Sequence, residues 1–351
     1  MKILTVIGAR PQFIKAAPVS KVLREKNDEK IIHTGQHYDE NMSKIFFDEL
    51  EIPRPDYNLN IGSGNHGYQT GMMLMKIEEI LLDEKPDAVM VYGDTNSTLA
   101  GALSASKLLI PVIHIEAGLR SFNMAMPEEQ NRILTDHISK LLFCPTETAV
   151  GNLKNEGISK GVYDVGDVML DATMQFKEKA SKSSKILEKL GIEGMDYILA
   201  TIHRAENTNS PTKLKNIIES LGKSGLYIIL PLHPRTRKYI KMYGIKIPGN
   251  INMIEPVGYL DMIQLEANSQ KVVTDSGGVQ KEAFFLKKPC ITLREETEWV
   301  ETVENGWNIL VGSHEKSIID ALLNFKPSKK QMSVFGDGNA SVHISDILSN
   351  I

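Results

Sequence analysis

Lys2-Ile3-Leu4-Thr5-Val6-Ile7-Gly8-Ala9-Arg10-Pro11-Gln12 decides the fold class of this chain. Residues 2–7 form an almost continuous apolar run, which predicts a strand buried on both faces rather than one with a wet side. Gly8 marks a turn, Pro11 suits a first helical turn, and residues 11–26 carry apolar positions at helical spacing. Strand, glycine turn, helix is the opening of a βαβ unit.

The same unit recurs downstream. Strands are predicted at 30–34, Ala88–Tyr92, Val112–Ile115 and 141–143, and helices at 41–50, 68–84, 97–108 and 128–140. After Val165-Gly166-Asp167-Val168 and a polar helical stretch at 176–189, a second series opens at 197–201. It continues through 227–230, 252–254, 272–274, 290–293 and 308–311. Continuous β-branched runs separated by helices mean parallel strands covered on both sides. The reading is α/β, with two Rossmann-like, doubly wound halves meeting near residue 168. Ligands are expected in a cleft at the carboxyl ends of the strands.

Composition bounds the partners. The 351 residues are 42% hydrophobic and carry a formal net charge of −4, which excludes a disordered chain and argues against nucleic acid or an anionic membrane as partner. Two cysteines, Cys144 and Cys290, provide neither a disulfide framework nor clustered zinc ligands, so a reducing cytoplasmic setting is expected. The apolar run at the start is too short for a signal peptide, and no segment approaches the roughly 20 apolar residues of a membrane span.

Several strand ends carry chemistry. At Gly8-Ala9-Arg10-Pro11-Gln12, with Lys15, cationic side chains meet a helix start, which suits an anion such as a phosphate or is an ordinary solvated basic pair. Thr274-Asp275-Ser276-Gly277-Gly278-Val279-Gln280-Lys281-Glu282 pairs a helix cap with two glycines that let a diphosphate approach the backbone. Glu282, one turn on, suits ribose hydroxyls. Asp94 in Tyr92-Gly93-Asp94-Thr95-Asn96, Glu116 in His114-Ile115-Glu116-Ala117-Gly118, and Glu128 near the next helix start each read singly as caps. Three carboxylates at one rim are what proton transfer at a weakly acidic carbon needs, and their mutual repulsion raises proton affinity. His203 and His233 end successive strands of the second half. Gly62-Ser63-Gly64-Asn65-His66-Gly67 matches the dinucleotide string but follows a polar stretch, so it reads as a loop. His33 and His37 flank a glycine turn and read as no metal site.

With these motifs in place, the chain resembles the non-hydrolysing UDP-N-acetylglucosamine 2-epimerases over nearly its whole length, from Gly8-Ala9-Arg10-Pro11 to Gly336-Asp337-Gly338. The resemblance implies a GT-B-type fold: an N-terminal domain over 1–168, a UDP-binding domain over 169–335, a cleft between them, and a C-terminal helix at about 336–351 packing back on the first. It implies epimerisation at C2 of a UDP-amino-sugar without NAD, metal or other cofactor, by loss of UDP to a 2-acetamidoglycal and re-addition. It assigns acid/base roles to Asp94, Glu116, Glu128 and His203. It assigns nucleotide contacts to Arg10, Lys15, His233, Ser276, Gly277, Gly278 and Glu282, and support of the acids to Arg132. It also suggests a homodimer, for which Met72, Met73 and Met75 are interface or core candidates.

Two departures bear on substrate and control. Thr297-Glu298-Trp299-Val300-Glu301 stands where the N-acetylglucosamine branch usually has Thr-Glu-Arg-Pro-Glu. It is similar to the branch that epimerises UDP-2,3-diacetamido-2,3-dideoxyglucuronate to the mannuronate. Lys44, Met73 and Ala205 replace the Gln and two Arg of the family's allosteric site. UDP-N-acetylglucosamine as substrate, a GT-B glycosyltransferase, a nucleotide-sugar sensor without turnover and a hydrolysing relative are the alternatives.

Overall fold

The computed structural model describes residues 1–36, 47 and 49–350. His37, Lys44 and most of the helix expected at 41–50 lie outside them. The chain divides into two compact units, one of Met1–Ala172 with Ser333–Ile351 and one of Thr173–Met332.

In unit 1 the strands are β1 (Lys2–Ile7), β2 (Asp28–His33), β3 (Tyr57–Asn58), β4 (Ala88–Tyr92), β5 (Val112–Ile115), β6 (Leu141–Cys144) and β7 (Val162–Asp164). They form one parallel sheet in the order β3-β2-β1-β4-β5-β6-β7. Unit 2 holds β8 (Ile198–Thr201), β9 (Ile228–Pro231), β10 (Ile251–Ile254), β11 (Lys271–Thr274), β12 (Cys290–Thr292) and β13 (Asn308–Leu310), in the order β10-β9-β8-β11-β12-β13. The two orders are the same doubly wound pattern. Each reverses once, between β1 and β4 and between β8 and β11, and a reversal opens a crevice at the carboxyl ends of those strands.

Both faces of each sheet are covered, as the unbroken apolar runs require. In β8, Ile198 and Ala200 pack against Leu214, Ile217 and Leu221, while Leu199 turns to Met262 and Leu265. Beside β1 and β4 the helix Asn96–Lys107 comes unusually close. A Cβ on Gly101 would sit 3.1 Å from Val6 and Val91, so its small residues are a packing requirement of the switch point.

Three element boundaries differ from expectation. Tyr57–Asn58 is a strand only at the sheet edge, too short and polar to show periodicity. The Gly62–Gly67 string is loop up to the start of the helix His66–Glu84, where His66 Nδ1 lies 3.1 Å from Asn96 Nδ2 at the start of the helix Asn96–Lys107. A helix runs Val168–Ser183, starting well before residue 176. The last helix, Ala340–Ser349, belongs to unit 1: Asp171 accepts from Ala340 N (3.1 Å) and Ser341 N (2.8 Å), and Asp167 N donates to Phe335 O. Gly166 and Gly336 meet there with left-handed φ of 83° and 88°. A Cβ on either would press on the other's backbone, which explains the glycine of the Gly336-Asp337-Gly338 motif.

Cys144 and Cys290 are both buried and unpaired. Burial pushes the Cys290 thiol up to about 12 and the Cys144 thiol higher still. Among the described residues no helix is long and apolar enough to cross a membrane.

Candidate active site

The crevice end of unit 1 is built from charged side chains that face one another. Arg10 opens the first helix, Arg10–Leu23, and is half-buried. Gln12 in its first turn holds the preceding loop shut. Its Oε1 accepts from Gly8 N (2.8 Å) and Ala9 N (3.0 Å), and its Nε2 donates to Tyr92 O and Thr98 Oγ1. Those backbone donors therefore face Gln12, and the positive character of this rim comes from Arg10 and Lys15. Lys15 is buried and paired with Glu116.

Glu116 follows β5 with a left-handed φ of 68°, a conformation that costs a non-glycine residue about 1 kcal/mol or more. Gly93, after β4, has φ 62°, and a Cβ there would lie 3.1 Å from Lys15 Nζ and 3.2 Å from Glu116 Oε2. Glycine is required twice over, by the backbone and by the two side chains crossing it.

Asp94 follows directly. Its Oδ2 accepts from Arg132 Nη1 at 2.7 Å, and Arg132 Nη2 lies 2.6 Å from Glu129 Oε2. Burial pushes the Asp94 carboxyl above its ordinary range. Arg132 and Lys15 oppose that shift, while Glu116 and Glu128 reinforce it. The side chain keeps 31% of its surface accessible, so this is a protonatable acid that a solute can reach. Three acids and two cations thus share one electrostatic neighbourhood, which combines Asp94, Glu116 and Glu128 with Lys15 and Arg132.

Glu129 is the residue that strand-end reasoning misses. It is buried on the helix Pro127–Ile138, one position beyond Glu128, and accepts from Ser121 N (2.9 Å) and Phe122 N (2.8 Å) as well as from Arg132. Those bonds hold it as an anion below its ordinary range against the cost of burial. Its link to Arg132 is an i, i+3 pair, a spacing visible in the sequence.

The crevice end of unit 2 is arranged differently. Asp275, at the end of β11, is fully buried and accepts from His203 N (3.0 Å), Arg204 N (3.0 Å) and Asn207 Nδ2 (3.0 Å). It therefore shapes the turn after β8, and its Oδ1 lies 3.5 Å from His203 Nδ1. The rings of His203 and His233 are 5.5 Å apart. His233 caps the helix Pro234–Met242 through Nδ1, which accepts from Arg235 N (3.2 Å).

Ser276 caps the helix Gly277–Phe285. A Cβ on Gly277 would collide with Glu298 Oε1, so the Thr297-Glu298-Trp299 loop leans on this turn. Gly278, by contrast, has open space around it. Glu298 is held by Arg294 Nη1 at 2.9 Å, and the Lys281 ammonium stands 3.9 Å from the centre of the Trp299 ring. Glu282 is buried and faces the Tyr259 hydroxyl, which burial and then Glu282 push far up.

Among the described residues no three His, Cys, Asp or Glu side chains gather as metal ligands. His33 is buried and stacks on Phe13, and burial lowers its proton affinity. Of the positions read as allosteric, Met73 is core and Ala205 is exposed at a helix start.

The profile of the UDP-N-acetylglucosamine 2-epimerases matches residues 21–349. The chain belongs to this family. Its relatives include a UDP-N-acetylglucosamine 2-epimerase homolog of Methanococcus maripaludis, 61% identical over the full length of both chains. They also include the UDP-2,3-diacetamido-2,3-dideoxy-D-glucuronate 2-epimerase of Pseudomonas aeruginosa, 53% identical, again over all of both. The crystal structure of Methanocaldococcus jannaschii UDP-GlcNAc 2-epimerase with UDP-GlcNAc and UDP superposes with TM-score 0.93 at 49% identity, covering both chains completely. The fold is therefore GT-B-type, and the chain is an isomerase of the UDP-sugar 2-epimerase kind rather than a glycosyltransferase.

Proposed function

We propose that this epimerase interconverts UDP-2,3-diacetamido-2,3-dideoxyglucuronate and its mannuronate C2 epimer, without cofactor or metal. The observation that carries the reading is Asp94: a reachable carboxyl with raised proton affinity, set among Glu116, Glu128, Lys15 and Arg132. The hydrogen on C2 is not beside a carbonyl, so it leaves only as the C1–O bond breaks. A carboxylate takes the C2 proton, the C–H electrons form the C1=C2 bond of the 2-acetamidoglycal, and the C1–O electrons leave with UDP. Re-addition of UDP to C1, with a proton delivered to the opposite face of C2, completes the exchange with no net redox change.

Asp94, Glu116, Glu128 and His203 serve as acids and bases, and Arg132 holds Asp94 in place. Arg10, Lys15, His233 and the Ser276-Gly277-Gly278 turn stabilise the departing diphosphate, and Glu282 receives the ribose. The 53% identity to the Pseudomonas enzyme and the Trp299-Val300 variant of the loop beside Gly277 support the diacetamido-uronate. UDP-N-acetylglucosamine is the second reading, supported by the Methanocaldococcus structure with that sugar bound. A cytoplasmic homodimer feeding a cell-surface glycan completes the reading. Tyr68, Met75 and Leu82, exposed along the helix His66–Glu84, supply an apolar stripe for the partner copy.

The test is incubation with each UDP-sugar in deuterated water, followed by NMR at C2. Deuterium entering C2 of the diacetamido-uronate with appearance of the epimer is expected. Deuterium entering neither sugar overturns the epimerase, and entry into UDP-N-acetylglucosamine alone overturns the substrate.

A further inference from the structure

His114 lies on β5, two residues before Glu116, and its side chain has no solvent exposure. Its Nδ1 is 2.7 Å from Asp136 Oδ1, and its Nε2 is 2.8 Å from the carbonyl oxygen of Gly93. A carbonyl can only accept. Asp136 also accepts, from Gly118 N (3.1 Å) and Arg120 Nη1 (2.7 Å), and His114 and Arg120 hold its carboxyl below the ordinary range against the cost of burial. The imidazole therefore faces acceptors on both sides.

We propose that His114 is a positioning residue for the epimerisation, donating from both ring nitrogens so that Asp136 and the Gly93 peptide are clamped together and Asp94 and Glu116 are presented at fixed positions. The clamp acts through adjacent peptides. Gly93 N donates to Ile115 O at 2.9 Å, so Gly93 is tied to β5 by its own N–H and by the His114 ring. Asp94 is the next residue after Gly93, and Glu116 the next after Ile115. Glu116 holds left-handed backbone, which in a non-glycine residue relaxes unless the surroundings determine it. The far end is braced, because Arg120 lies 2.6 Å and 2.8 Å from the two carboxylate oxygens of Glu156. Arg120, Asp136 and His114 are buried, and Cys144 is the further ionisable group that feels Asp136 and Arg120. Buried, fully bonded networks of this kind specify one geometry.

The inference rests on the epimerase reading, and the experiment separates the two. Wild type must first exchange deuterium into C2 of a UDP-sugar; if it does not, the epimerase reading fails whatever His114 does. Given exchange, His114→Gln and Asp136→Asn are each expected to lower kcat about 10- to 100-fold, the scale of a roughly 1 Å misplacement. KM and UDP affinity should stay within about threefold, and the double variant should be little worse than the poorer single one, because both break one chain of bonds. Wild-type kcat in both variants, or a fall in UDP affinity matching the fall in kcat, overturns the proposal. Should the variants fail to fold, nitrogen-15 NMR of the wild-type histidine rings decides. Protons on both nitrogens of His114 are expected, and one bare ring nitrogen overturns it.

Discussion

The two units share one strand order, yet their crevice ends use charge in opposite ways. In unit 1 the ionised groups answer one another: Lys15 pairs with Glu116, and Arg132 with Asp94 and Glu129. Acids outnumber cations, and Asp94 holds its proton more tightly than usual. In unit 2 the buried carboxylate that follows β11, Asp275, accepts from the backbone of His203 and Arg204, beside a cradle of glycine turn, helix cap and two imidazoles. The topology supplies the crevice in both cases. On the proposed reading, the residues placed at the strand ends set the unit 1 rim to move protons and the unit 2 rim to receive a polyanion.

Neutralising one acid in each rim tests this contrast most severely. Asp94→Asn should reduce deuterium entry at C2 by about 10²- to 10⁴-fold, as loss of a general acid or base does. UDP binding by calorimetry should persist. The folded-state pKa of Asp94 lies above its unfolded value, so the charged form is disfavoured on folding. The group therefore favours the fold at low pH and stops doing so as pH rises through the raised value. At neutral pH the Asn variant should keep or raise the urea midpoint. Asp275→Asn should do the reverse. Replacing a carboxylate oxygen with an amide sets N–H against N–H in a buried site, at about 1–3 kcal/mol for each donor left unmet. A lower urea midpoint and UDP binding weakened about tenfold or more are expected. If both variants lose stability and neither loses binding, the division of labour is wrong.

A glycine in each rim provides a milder test. Gly93→Ala inserts a methyl between Lys15 and Glu116 on left-handed backbone, and kcat should fall about tenfold with UDP affinity unchanged. Gly277→Ala pushes Glu298 off the helix start and loosens its hold on Arg294. Because Glu298 is the end of a side chain that can move, UDP affinity should drop only about threefold, and the ratio of activities on the two candidate sugars should change with it. An unchanged ratio would detach that loop from sugar choice.

The parts of this picture legible in the sequence are those that local pattern determines. The central strands declare themselves because a strand covered on both faces has no polar phase. Asp94, Glu116 and His203 declare themselves because each follows such a run. The edge strand Tyr57–Asn58 is silent, having neither length nor burial. The pairing of Lys15 with Glu116 spans much of unit 1, so no local spacing carries it. Glu128 and Glu129 cannot be told apart by type, since adjacent helix positions point about 100° apart and only packing shows that the second turns inward. His114 reads as one more strand residue until its two acceptors are seen.

The smallest expected effect comes from the opposite edge of the unit 1 sheet, where a multiply paired carboxylate lies outside the proposed site. Glu84 lies 2.6 Å from Lys2 Nζ and 2.8 Å from Lys30 Nζ and accepts from the Tyr57 hydroxyl. Lys2, Lys30 and Tyr57 pull its carboxyl down to about 2. Donors outnumber acids here, the inverse of the Asp94 site, and the shift has the opposite sign. A depressed carboxyl stabilises the fold above its unfolded value near 4.5, and that contribution fades as pH falls toward about 2. Glu84→Gln should therefore lower the urea midpoint modestly at pH 7, and the gap from wild type should close on acidification through that window. Deuterium exchange at C2 should be untouched. A loss of exchange in this variant would mean that charge anywhere on the sheet tunes the reaction, and Asp94 would then owe its role to more than the surplus of acids beside it.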